Sequence, residues 1–141
     1  MSARVLTCLG LPAWECASIV TIAASVGVDP RALAGIRHAE MGGPGREFGV
    51  LTVAAATYTE QARVAANTIR RTMSRFLLNS ALPLTDLDTG RLTPDFLAYF
   101  SRGGPGYPGY APFGAANDPK GLNKNHLGNL EAGYAAAALT A

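Results

Sequence analysis

VDPRALAGIRHAEMGGPG, residues 28–45, decides how the rest of the chain is read. Asp29 is a good helix N-cap and Pro30 fits the first helical position, where its missing N–H costs nothing. Leu33, Ile36 and Glu40 follow at i, i+3 and i+7, so all three share one face of the helix. The run Gly42-Gly43-Pro44-Gly45 then stops it. A short amphipathic helix is therefore predicted, with a carboxylate on its core-facing stripe and in its last turn.

Upstream, the segment from Trp14 to Val26 is apolar on most sides and reads as a buried helix ended by Gly27. Downstream, residues 48–53 (FGVLTV) are too short and too β-branched for a helix, and predict a brief strand or extended segment. Thr57 with Glu60 forms a capping box for the longest helix, running to about Asn79. Its core face carries Ala62, Ala65, Ile69, Met73 and Phe76, and Arg63, Arg70, Arg71 and Arg75 read as its solvated side. Residues 82–92 read as loop, with Asp86 and Asp88 as turn formers. Thr93-Pro94 repeats the cap-then-proline start for a short helix, and a Gly/Pro/Tyr-rich loop covers 103–120. A last helix begins near Lys124 and runs into an alanine-rich end. The expected fold is mainly α, as one domain over residues 1–141.

Bulk properties narrow the function. The chain has 141 residues, 48% hydrophobic and 16% charged, which favours a packed core over disorder. A net charge of +2 without a basic stripe argues against nucleic acid, and no stretch reaches the length of a membrane span. His38 and His126 carry no metal-ligand spacing and fit no peptidase pattern, so neither a metal nor a cofactor is expected. Whether Cys8 and Cys16 pair is not legible from the sequence, and two half-buried thiols are the plainer reading.

Glu40 carries the chemistry. Burial and the negative end of the helix dipole both disfavour its charged form, which is the state a general acid for glycosidic cleavage needs. The Gly/Pro stop beside it leaves room for a large ligand. The plainer alternative is an ordinary helix-end glutamate pointing to water.

The run from Val28 to Glu40, followed by Gly42 and Phe48-Gly49-Val50-Leu51, resembles the core motif of lytic transglycosylases and goose-type lysozymes. More particularly, three pieces are similar to small phage-encoded transglycosylase-like proteins: Ala39 to Leu51, Tyr58 to Gln61, and Tyr110 to Asn123. The resemblance as a whole covers roughly residues 28–134. The resemblance implies a lysozyme-like helical domain with Glu40 as catalytic acid, acting on the bond between N-acetylmuramic acid and N-acetylglucosamine in peptidoglycan. It implies sugar contacts at Phe48, Gly49, Val50, Tyr110 and Asn117, with Tyr107 as competitor to Tyr110 and Asn123 as a further candidate. Met41 stands where soluble lytic transglycosylases carry Ser, and Asn117-Asp118-Pro119 where they commonly carry a YNAG-like turn.

In the transglycosylase route the substrate's acetamido group assists and a 1,6-anhydro sugar forms. Hydrolysis would need a second carboxylate, set about 5 Å away in retaining enzymes and farther in inverting ones. Glu47 is the nearest in sequence, though a surface Glu beside Arg46 is its plainer reading, and Glu60 is occupied in its cap. A virion structural or docking piece, and a helical adaptor without sugar binding, are the readings from other classes. The first sixteen residues lack a signal-peptide core, so the expectation is a phage protein reaching the cell wall through a virion, an export system or a holin.

Overall fold

A computed structural model describes residues 5–8, 10–44, 46–50, 57–112, 121 and 123–140. Within these, five helices carry most of the structure: α1 (Ala13–Val26), α2 (Pro30–Glu40), α3 (Tyr58–Asn79), α4 (Pro94–Arg102) and α5 (His126–Ala136). Local chemistry sets most of their starts. The Asp29 side chain accepts from the Arg31 amide, Thr57 from Glu60 and Thr93 from Phe96, each satisfying a free amide of a first turn. No helix among the described residues is long and apolar enough to cross a membrane.

Two short strands, β1 (Val5–Thr7) and β2 (Ala138–Thr140), pair antiparallel with Leu6 opposite Leu139. They correct the expected alanine-rich helical end. Helix α5 stops when Ala137 turns extended, and the chain beyond it pairs with a segment from the other end of the sequence. Such long-range pairing overrides local helix propensity. A disulfide joins Cys8, just after β1, to Cys16 in α1, so the two cysteines are not free thiols. Of the strand or extended segment expected over 48–53, the strand is not formed where the chain is described: Phe48, Gly49 and Val50 are turn and irregular backbone, while residues 51–53 lie outside the described residues.

The core is built around Ile19, Leu33, Ile36, Ile69, Phe76, Phe96, Phe100 and Leu130, all fully or almost fully buried. Met73 packs only partly against it. Arg70, assigned to the solvated side of α3, donates to the Val26 carbonyl at 2.7 Å and so caps the C-terminus of α1.

Helices α2 and α5 pack side by side and run antiparallel. Gly35 makes the approach possible, because a Cβ there would press on the Leu130 and Tyr134 backbone, and Gly133 returns the fit against Gly35. At one end of the pair the Tyr134 hydroxyl donates to the Asp29 carboxylate at 2.9 Å. At the other end Glu40 meets His126.

Candidate functional site

Glu40 is the last residue of α2, and the helix closes on Met41, whose amide donates to the Arg37 carbonyl. Met41 takes the left-handed conformation with φ 48°, which costs a non-glycine residue about 1 kcal/mol. The stop is therefore made one residue earlier than the glycine run suggests. Gly42 plays a different part, since its α-carbon lies against the Arg46 backbone, where a Cβ would not fit. The space left by the missing side chain is thus filled by the protein's own chain and does not serve a ligand. Exposure near the carboxyl comes from the helix end itself. The Glu40 side chain is 23% exposed and Met41 76%.

Three groups surround the Glu40 carboxyl. Gly49, with φ 71°, lies so close that a Cβ at this position would overlap it. His126 places Nε2 3.1 Å from Oε1, within ion-pair distance but without the alignment of a finished hydrogen bond. Tyr110 stands nearby: burial, and after it the negative charge of Glu40, pushes its hydroxyl well above the ordinary phenol range. That hydroxyl donates to the Phe48 carbonyl at 2.6 Å, and the ring stacks between Phe100 at 4.9 Å and His126 at 6.1 Å.

Residues 48–50 are held by one side chain. Gln61, fully buried in the first turns of α3, accepts from the Phe48 and Val50 amides and donates to the Val50 carbonyl at 2.8 Å. This clamp presses Gly49 toward Glu40. Phe48 is fully buried with its ring edge-on to Tyr58, so it is not the cleft wall expected of it and contributes its carbonyl instead. Val50 is likewise buried, with its backbone taken up by Gln61. Neither side chain is available to a sugar, because the turn that carries them faces inward. Asn117 lies outside the described residues. Asn123 donates to the Pro112 carbonyl at 3.0 Å. Tyr107 is buried against Tyr99 and Phe100, in a different part of the aromatic cluster from Tyr110.

Beside the site lies a second carboxylate, this one buried, to which the sequence analysis assigns no role. Glu15 in α1 pairs with Arg37 in α2 at 2.8 Å, and Arg37 reaches on to the Gly42 carbonyl. Tyr58 faces the same pair, and burial first, then the interaction of its hydroxyl with the Glu15 side chain, raises it strongly. Glu47, the carboxylate nearest Glu40 in sequence, is half-buried.

His126 and Ser101 were missed as well. The His126 ring is buried, and its Nδ1 lies 2.7 Å from the Ser101 hydroxyl of α4. Periodicity places position 126 at a helix start, but only the antiparallel packing of α2 on α5 brings it to Glu40. Among the described residues no group of three or more His, Cys, Asp or Glu side chains is placed to hold a metal ion. A partly shielded carboxyl with one face toward solvent and a fixed imidazole behind it is suited to giving and taking a proton. No protein-family model, curated protein or solved structure matches this chain.

Proposed function

We propose that this protein cleaves the β-1,4 bond between N-acetylmuramic acid and N-acetylglucosamine in peptidoglycan, with Glu40 as general acid and base in a lysozyme-like fold. One observation carries the reading: the carboxyl at the end of α2 keeps 23% exposure while Gly49, at positive φ, is packed onto it and Gln61 holds that turn in place. A glutamate that merely pointed to water would not need a glycine fitted to its carboxyl.

The route is that of a lytic transglycosylase. Glu40 protonates the bridging oxygen as the bond to the muramyl C1 breaks, and the substrate's acetamido group stabilises that carbon. The ionised Glu40 then takes the proton from the muramyl C6 hydroxyl as its oxygen attacks C1. A 1,6-anhydro sugar leaves, Glu40 is protonated again, and no water is consumed. A hydrolytic muramidase is the neighbouring alternative, with Glu47 the first carboxylate to examine. The Cys8–Cys16 disulfide supports work outside the cytoplasm, where such bonds persist. Phage origin, with the protein carried in a virion or released at lysis, fits that placement.

A second reading rests on a different observation. Leu77, Leu78, Leu82 and Leu87 are 61%, 84%, 51% and 99% exposed around the end of α3 and the loop after it. Four leucines exposed within one stretch of chain favour a docking role within a larger assembly, such as a virion.

The test is mass spectrometry of muropeptides released from purified peptidoglycan by wild type and by Glu40→Gln. Anhydro-muramyl products from wild type alone establish the transglycosylase. Reducing-end products from wild type alone mean hydrolysis, and no release from either protein leaves the docking role.

A further inference from the structure

We propose that His126 is a positioning residue for Glu40, donating from Nε2 to Oε1, with Ser101 fixing the tautomer that makes this possible. The inference rests on the glycosidase reading above and assigns a role to a residue that the sequence offered no reason to choose.

Hydrogen-bond accounting gives the direction of the chain. Ser101 is completely buried in α4, and the acceptor found for its hydroxyl among the described residues is Nδ1 of His126, at 2.7 Å. A buried hydroxyl proton without an acceptor is costly, so Ser101 donates and Nδ1 accepts. The imidazole proton of the neutral ring must then sit on Nε2, 3.1 Å from Oε1 of Glu40. The groups facing the ring are Glu40 from α2, Ser101 from α4 and Tyr110 from the loop after α4, whose ring stacks on it at 6.1 Å. Tyr110 spends its hydroxyl on the Phe48 carbonyl, so it does not compete for Nε2.

The same three groups stand in the order of a serine nucleophile, its base and an orienting acid. Burial excludes that use. Ser101 is 0% exposed, whereas the Glu40 side chain is the end that reaches solvent. The chain runs outward from a fixed serine to a working carboxylate. An imidazole N–H beside Oε1 matters most once Glu40 has given up its proton and must wait, ionised and correctly turned, for the C6 hydroxyl. The role therefore falls on turnover and not on substrate affinity.

Two side-chain amides separate the contacts. His126→Gln keeps a donor near the Nε2 position, while His126→Asn retains the Ser101 contact and loses Glu40. Both remove the ring, so both lower stability to a similar extent. Expected for His126→Asn is a fall in kcat of roughly 10- to 100-fold with KM nearly unchanged, and for His126→Gln recovery of most of that loss. Long-range proton–nitrogen NMR of the wild-type imidazole is expected to place the proton on Nε2, with its downfield signal lost in Glu40→Ala. Equal losses in the two variants, in step with their melting temperatures, overturn the proposal, and so does a proton found on Nδ1. If wild type releases nothing from peptidoglycan, the cleavage reading has failed, and the NMR result alone decides whether His126 holds Glu40.

Discussion

Gly49 packs directly onto the carboxyl of Glu40, with no room between them for a methyl group. The contact joins the end of α2 to the turn that Gln61 clamps, and it makes the glycine's missing Cβ part of the site. Gly49→Ala is therefore expected to displace Glu40 and to strain the backbone at φ 71°. The stability cost is about 1–2 kcal/mol, from the positive φ alone. Turnover should fall further, by roughly 100-fold, since a misplaced acid of about 1 Å has that effect. Muropeptide release and thermal melting, measured on the same preparation, check both parts.

Tyr110 serves the site through its hydroxyl and its ring separately. Tyr110→Phe keeps the stacking on Phe100 and His126 and removes only the bond to the Phe48 carbonyl. A loss of about 1 kcal/mol is expected in urea unfolding. Tyr110→Ala opens the cover over His126 as well and should cost about 3–4 kcal/mol.

Gln61 satisfies three backbone groups of the 48–50 turn with one amide. Gln61→Leu fills the same volume and leaves those groups buried without partners. About 3 kcal/mol of stability should be lost, along with the register of Gly49 against Glu40. Gln61→Glu separates the two duties of the amide. Protonated, its carboxyl accepts from the Val50 amide and can still donate to the Val50 carbonyl; ionised, it only accepts and buries a charge, so the loss in urea unfolding is expected to grow as pH rises.

What the sequence made legible follows a physical division. Helix starts at Asp29, Thr57 and Thr93 are set by side chains within three residues of the amides they cap, so they can be read locally. The place of Glu40 on a helical stripe and in the last turn of α2 is legible in the same way. The partners of Glu40 are not. His126 and Ser101 reach it only through the packing of α5 and α4 on α2, and nothing in their own neighbourhoods announces it. Aromatic rings often line sugar sites, which makes Phe48 an expected cleft wall, whereas its turn points the ring into the core. The β1–β2 pair and the Cys8–Cys16 bond depend on contacts that local propensity does not encode.

The disulfide closes a short loop with a sequence separation of 8. Loop-closure entropy for that length is worth about 2–3 kcal/mol. Adding a reductant, or the double change Cys8→Ala and Cys16→Ala, should lower the unfolding free energy by that amount. Hydrogen exchange should rise first in β1 and β2, which the bond anchors to α1.

Tyr134 ties the far end of the α2–α5 pair. Its hydroxyl donates to the Asp29 carboxylate at 2.9 Å and accepts from the Leu92 amide at 2.8 Å, while the Arg91 guanidinium lies 4.5 Å over the ring. Burial, followed by the Asp29 charge, pushes its ionisation up to about 12 from an ordinary value of 10.0. The sign follows from that direction. A folded-state value above the unfolded one means that the contribution is complete below about pH 10 and is lost as pH rises through about 12. Tyr134→Phe removes both hydrogen bonds and should cost about 2 kcal/mol at neutral pH. Urea unfolding of the two proteins from pH 8 upward is expected to show that gap narrowing above pH 10. A gap that stayed constant to pH 12 would mean that ionisation of the hydroxyl is not linked to folding, and would overturn the Asp29 tether as its source.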